Sequence, residues 1–208
     1  MWVDVEQNTP EWFQLRAGRF GGSSIGTIMA NYGKAFGTPA HKLAVKIALE
    51  QLRGEPIESL YSNAHMERGH EQEPIARQLY EIEYFCDVTN GGYFIGDGYT
   101  GVSPDGLVGK NGSVEIKSVI ASVQFDTVKR GKHDPAYKWQ LPFDLKVSRR
   151  EWIDYISFCS EFPKGKRLFV ERLYADDLKD KFEMIDKRVA EFTALINEKK
   201  KVIDEYNS

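Results

Sequence analysis

The chain has 208 residues, 41% hydrophobic and 28% charged, with a formal net charge of −3. That length supplies the core of one domain, or of one domain with a helical arm, and the acidic balance argues against a protein that coats nucleic acid without specificity. No run of about eighteen apolar residues is present to span a membrane, Met1-Trp2-Val3-Asp4-Val5-Glu6 lacks the basic-then-apolar pattern of a leader, and the isolated Cys86 and Cys159 predict reduced core thiols of a cytosolic protein, not a zinc or iron–sulfur ligand set.

In chain order, Thr9-Pro10-Glu11-Trp12 predicts a helix start, with Thr9 as N-cap and Pro10 at the first helical position, running to about Ala17. Gly18, Gly21 and Gly22 break it, and Ser23 or Ser24 then caps a second short helix through Met29. Leu43, Val45, Ile47, Ala48 and Leu52 recur at helical spacing across 40–52. A connector over 54–60 precedes a long helix over 63–84. From Phe85 the pattern changes to short strands and turns: Tyr93-Phe94-Ile95, then Thr100-Gly101-Val102, then a hairpin of Leu107-Val108 and 113–117 around Gly109-Lys110-Asn111-Gly112. Residues 135–145 return to helix, with Pro142 as a kink or a limit. Residues 151–158 and 168–173 are strand-like, and 176–206 form one long charged helix. This order predicts an α/β fold: a central mixed β-sheet flanked by helices, a helical N-terminal part and a long C-terminal helix.

The most informative residues are Ser103-Pro104-Asp105-Gly106 and Glu115-Ile116-Lys117, an Asp followed after nine residues by Glu-x-Lys. Side chains alternate faces along a strand, so Glu115 and Lys117 point one way and Ile116 points into the core. Two carboxylates and a lysine at one sheet edge suit metal-dependent phosphodiester hydrolysis: the carboxylates hold Mg²⁺ or Mn²⁺, and the lysine stabilises charge or helps deprotonate the attacking water. The plainer alternative is a hairpin with a Ser-Pro-Asp-Gly turn and a solvated Glu/Lys face. The apolar flanks Val114, Ile116, Val119 and Ile120 favour a partly buried strand, where an unpaired charge is costly. From Lys129 to Arg150 seven basic residues face two acidic ones, either a solvated face or a phosphate track beside the metal site.

The Asp and Glu-x-Lys pair resembles the PD-(D/E)xK nucleases, and four further stretches resemble the lambda exonuclease and YqaJ-like viral recombinase family. These are Glu11-Trp12-Phe13-Gln14-Leu15-Arg16-Ala17-Gly18 with Gly22-Ser23-Ser24; Arg68-Gly69-His70-Glu71-Gln72-Glu73-Pro74; Tyr137-Lys138-Trp139-Gln140; and Val147-Ser148-Arg149. All fall in the family's order, across roughly Glu11 to Phe158. The resemblance implies a restriction-endonuclease-like core in a single domain over 1–208, with the core at about 11–175 and the C-terminal helix at about 176–206. It implies a Mg²⁺-dependent, processive 5′→3′ exonuclease on linear double-stranded DNA, releasing mononucleotides and leaving a 3′ single-stranded overhang. It further implies a homotrimeric ring around DNA, a phage single-strand annealing protein as partner, and a place in the cytoplasm of a bacterial host.

By the same resemblance, Asp105 and Glu115 are the metal-binding carboxylates, the Ile116 carbonyl completes a metal shell, and Glu73 is a further ligand, with two ions in the site. Lys117 sits near the scissile phosphate. A general-base role would need a strongly depressed pKa, so electrostatic stabilisation is the expected role. Tyr137 and Gln140, one helical turn apart, are expected on one helix face, with Gln140 orienting Lys117 or a DNA phosphate. Arg16, Ser23 and Ser103 match positions that bind the terminal 5′-phosphate. Two departures stand out. No Lys or Arg occurs over 119–125, where the family has a DNA-facing basic residue, leaving Lys129, Arg130 or Lys132 to replace it; and Pro142 replaces a second glutamine. The alternatives are an endonuclease or single-strand-specific RecB-like nuclease, a non-catalytic DNA-end-binding subunit, and an oligomerisation protein built on the last helix.

Overall fold

The computed structural model describes residues 1–57 and 64–206. A short strand, β1 (Trp2–Val3), leads to three helices: α1 (Pro10–Arg16), α2 (Gly22–Met29) and α3 (Thr38–Arg53). The long helix α4 (Ala64–Tyr84) follows, then the short strands β2 (Val88–Thr89), β3 (Tyr93–Ile95), β4 (Gly101–Val102) and β5 (Gly106–Val108). The central strand β6 (Gly112–Ser118) gives way to α5 (Ala121–Arg130) and α6 (Gln140–Ser148), and the chain ends with β7 (Trp152–Phe158), β8 (Leu168–Tyr174) and α7 (Lys179–Asp204). The expected connector beyond Ile57 and the expected helix start at Asn63 lie outside the described residues.

Five strands form the main sheet in the order β2-β5-β6-β7-β8, and β1-β3-β4 form a smaller one. In the main sheet β6 and β7 pair in parallel, with Glu115 opposite Tyr155 and Lys117 opposite Ser157. A parallel pair needs a crossover, and α5 and α6 provide it. Alternation on β6 then sorts the two faces. Val114 and Ile116 pack with Ile156, Phe158 and the α4 residues Ala76 and Tyr80. On the other face Leu141 and Leu145 of α6 pack with Ile153 and Tyr155, which places Glu115 and Lys117 under α6. A third layer joins α2, α3 and α7 through Ile25, Ile28, Ala44, Ile47, Phe192 and Ile196.

Thr9 caps α1 as expected, accepting from the Trp12 N–H at 3.3 Å. The turn after α1 depends on Gly18, whose φ of +69° favours glycine. Its N–H is bound by the buried carboxylate of Glu50 at 2.9 Å and its carbonyl by Gln51 at 2.9 Å. The N-cap of α2 is Gly21, neither of the expected serines. Phe20 bridges Thr100, so the chain enters α2 already extended, and the Ser24 hydroxyl turns back to the Gly21 N–H at 3.1 Å. At the other end of α2, the buried Arg188 of α7 donates to the carbonyls of Ile28 and Ala30 at 2.8 and 3.1 Å, and to that of Lys34 at 3.0 Å. Its guanidinium lies 3.7 Å from the Phe36 ring centre.

Further sequence expectations are corrected, and one helix was not anticipated. Helix α5 was not expected, because its buried positions are Gln124 and Thr127 while Phe125 and Val128 are exposed, the reverse of an amphipathic pattern. The single helix expected over 135–145 is split: a 3₁₀ turn over Pro135–Tyr137, capped by Asp134, ends before α6 begins at Gln140. Pro142 lies in the first turn of α6, where a missing N–H costs no helical bond, so it neither kinks nor ends the helix. The expected C-terminal helix begins with a short 3₁₀ turn over Ala175–Leu178 before α7. Cys159 is buried, Cys86 half-buried, and both are free thiols.

Candidate active site

The site forms where the turn before β5 meets the C-terminal half of β6. Asp105 is fastened there from several directions. Its N–H donates to the Val114 carbonyl at 3.0 Å. Its Oδ2 accepts the Ile116 N–H at 2.6 Å, and its own carbonyl accepts from Arg77 of α4 at 2.5 Å. Gln7 holds the preceding Pro104 carbonyl at 2.9 Å. Asp105 therefore sits against the backbone of the Glu-x-Lys segment, ten positions further along the chain.

Glu115 is 3% exposed. Its Oε1 receives both the Lys117 ammonium at 2.5 Å and the Gln140 amide at 2.5 Å. Lys117 Nζ also lies 5.1 Å from the Tyr137 ring centre, close enough for a cation–π contact. Tyr137 and Gln140 thus reach the same two residues from different elements, the 3₁₀ turn and α6, and do not share a helix face. Gln140 meets Glu115, the ion-pair partner of Lys117.

The charges are crowded. Burial, and then the neighbouring Glu115, hold the Asp105 carboxyl well above the usual carboxylate range; Glu73 adds to this and Lys117 opposes it. Burial alone would lower the Lys117 pKa, but Glu115 and Asp105 outweigh it and raise it above that of a free lysine. Glu73, half-buried on α4, is thus near enough to act on Asp105. Hard carboxylate oxygens that repel one another fit a divalent cation such as Mg²⁺. Among the described residues no group of three or more His, Cys, Asp or Glu side chains is gathered for a metal; Asp105 and Glu115 are two carboxylates close enough for Glu115 to raise the proton affinity of Asp105.

The expected phosphate-binding residues divide. Arg16 lies over the Trp12 ring, 4.1 Å from its centre. Trp12 Nε1 donates to Ser103 Oγ at 2.9 Å, and Ser103 spends its single proton on the Gly92 carbonyl at 2.6 Å. Arg16 and Ser103 are therefore joined through Trp12. Ser23 is exposed in the first turn of α2. Of the basic residues over 129–150, Lys146 pairs with Asp186 at 2.8 Å and Arg150 donates to the Gly109 carbonyl at 2.9 Å. Lys129 and Arg130 occupy the last turn of α5, about 12 Å along it from its N-terminus at 1.5 Å per residue.

One site residue was not anticipated. Asp144, one turn beyond Gln140 on α6, is 4% exposed. Burial, and then Glu115, raise its pKa well above the carboxylate range, while Lys117 and a hydrogen bond from Gln140 oppose that shift. The sequence signal was available: Gln140 and Asp144 are four apart, hence on one face of any helix containing both.

Asp105, Glu115 and Lys117 form a buried acid–lysine edge on a mixed α/β sheet, and the comparisons specify the family. The model of the YqaJ-like viral recombinase domain matches residues 11–151, and the chain belongs to that family. It is similar to an alkaline exonuclease (LHK-Exo) from Laribacter hongkongensis, with 30% identity over 95% of this chain and 100% of that one, and a TM-score of 0.78. The same holds for LHK-Exo in complex with dAMP. A phage related exonuclease from Haemophilus somnus 129PT shares the fold at 14% identity, over 91% of this chain and 96% of that one, with a TM-score of 0.64. No curated protein matches the chain. The class is that of nucleases of the alkaline exonuclease kind.

Proposed function

We propose that the chain is a Mg²⁺-dependent 5′→3′ exonuclease that digests one strand of linear double-stranded DNA to mononucleotides and leaves 3′ single-stranded overhangs for recombination by annealing. The observation that carries this reading is the convergence of Asp105, Glu115 and Lys117, with the Asp105 carboxylate bonded to the Ile116 N–H at 2.6 Å. Asp105, Glu115 and the Ile116 carbonyl would hold the cation, with Glu73 extending the set to a second ion. Mn²⁺ has the same oxygen preference. A bound Mg²⁺ would supply Lewis acidity toward the phosphate and a more acidic water.

The chain's own residues do the rest. Lys117 keeps its proton and places positive charge where the phosphate gathers negative charge in the transition state. Gln140 holds Glu115, and Tyr137 backs the lysine. Arg16, set on Trp12 beside Ser103, offers a forked donor to a 5′-terminal phosphate, and Ser23 lies at the start of α2, where anions are favoured. The 30%-identical LHK-Exo forms a complex with dAMP, a mononucleotide, which supports this product class. A homotrimeric ring on DNA ends and a phage single-strand annealing protein as partner belong to the same reading. Among the described residues no helix is long and apolar enough to cross a membrane.

The test is digestion of end-labelled linear duplex with Mg²⁺, beside an EDTA lane and a covalently closed circle, for wild type and Asp105→Ala. Mononucleotides from 5′ ends, an untouched circle and an inactive variant are expected. Cutting of the circle would instead indicate an endonuclease, and inactivity of the wild type would leave DNA-end binding as the function.

A further inference from the structure

Asp105 is held from two different elements. On β6, the Val114 carbonyl accepts its N–H at 3.0 Å and the Ile116 N–H donates to its Oδ2 at 2.6 Å. On α4, Arg77 Nη2 donates to its carbonyl at 2.5 Å, across 28 residues of chain. Arg77 is half-buried. It follows Ala76, which with Tyr80 is wholly buried in the cluster of Val114, Ile116 and Ile156, so the packing of α4 on the sheet sets where the guanidinium reaches. Glycine at 106 leaves it room: a Cβ there would lie 3.0 Å from Arg77 Nη2 and 2.2 Å from Val88 Cγ1. The preceding Pro104 carbonyl accepts from Gln7 at 2.9 Å, and a Cβ on Gly91 would lie 1.7 Å from its oxygen. Successive peptide units of this turn are therefore enclosed. The carbonyl carbon and Cβ of Asp105 share one Cα at nearly fixed bond angles, so a fixed carbonyl restricts the direction in which the carboxylate emerges.

We propose that Arg77 is a positioning residue for the metal-binding edge: by gripping the Asp105 carbonyl from α4, it fixes the orientation in which the Asp105 carboxylate meets the divalent cation. This role rests on the metal-nuclease reading of Asp105 and Glu115. Arg77 acts through the main chain of Asp105 and supplies no ligand of its own, since a guanidinium has donors and no acceptor. Its charge works against a cation, so electrostatics alone would make a divalent ion bind more tightly once the arginine is gone. Loss of the grip loosens the ligand and weakens binding. The two effects have opposite signs, which separates positioning from simple charge repulsion. Groups that orient a metal ligand change metal affinity by about 10–100-fold.

The test is calorimetric titration of Mn²⁺ into the DNA-free protein, with a urea unfolding curve for each variant. Arg77→Met keeps an unbranched stem without a donor and is expected to weaken Mn²⁺ binding about tenfold or more. Arg77→Lys keeps a donor and the charge and should recover part of that loss. Leu79→Ala loosens α4 on the same core without removing a bond to Asp105, and should bind Mn²⁺ as wild type does. Should Arg77→Met fail to unfold cooperatively, Arg77→Ala, which also lacks a donor, is read in its place. Wild-type or tighter affinity in the donor-less variant, or an equal loss in Leu79→Ala, would overturn the proposal. Asp105→Ala keeps the two readings apart: if it binds Mn²⁺ as wild type does, or if wild type binds none, the metal reading of Asp105 fails and this role fails with it.

Discussion

Lys117 Nζ lies 2.5 Å from Glu115 Oε1, two residues apart on one face of one strand and both largely buried. The pair fixes the electrostatic character of the site. Glu115 and Asp105 hold the lysine pKa above that of a free lysine, so at neutral and mildly alkaline pH it is an ammonium and not a base. Stability drawn from that charge is fully present below the unfolded pKa of 10.5 and is lost only as pH rises through the higher folded value.

Lys117→Ala should therefore reduce the rate of hydrolysis by about 10²–10³-fold, the loss typical of removing one preorganised charge donor, with little change in DNA-end affinity. Single-turnover digestion beside a binding titration checks this. A rise in wild-type activity that tracks deprotonation of a lysine near neutral pH would contradict the assignment.

Asp105 has the opposite energetics. Its folded pKa is raised, so the folded state holds its proton more tightly than the unfolded state, and stability falls as pH climbs from 3.8 through the folded value. Asp105→Asn removes this cost while keeping an acceptor for the Ile116 N–H. The variant is expected to be inactive, yet to melt at a higher temperature than wild type at pH 8 in EDTA, and to lose the stabilisation that Mg²⁺ gives the wild type. Thermal unfolding with and without Mg²⁺ reads both.

Arg16→Ala should mainly abolish the preference for 5′-phosphorylated over 5′-hydroxyl ends, leaving the metal chemistry intact. Because Arg16 also covers Trp12, some packing is lost with the charge, so Arg16→Lys is the better control: it keeps the charge but not the fork. Competition between phosphorylated and dephosphorylated duplexes measures the effect, and an unchanged ratio would place the end-recognition elsewhere.

Arg188 tests the scaffold. It binds three backbone carbonyls, those of Ile28, Ala30 and Lys34, and pairs with Glu191 at 2.7 Å. Arg188→Met should cost about 1–3 kcal/mol, the penalty for leaving buried backbone carbonyls without their donor, since Glu191 is exposed enough to be solvated on its own. Urea unfolding gives the value. A loss below about 1 kcal/mol would show that water replaces the guanidinium at those carbonyls.

The sequence by itself determined what local physics controls. Period-two alternation put Glu115 and Lys117 on one face, Thr9-Pro10 set the start of α1, and the order of helices and strands gave the fold class. It failed where burial ran against composition. Helix α5 hides Gln124 and Thr127 and exposes Phe125, so its hydrophobic pattern misled. Asp144 counted only as one of two acids in a basic stretch: its spacing to Gln140 puts the two on one helix face, but nothing local shows that this face will be buried against the first turn of α2. Those relations join α6 to β6 and to the first turn of α2, segments more than twenty residues apart in sequence. Only the packing of α6 on the sheet and of α2 on α6 decided them: contacts between distant elements are fixed when a shared core closes, and no local propensity encodes them.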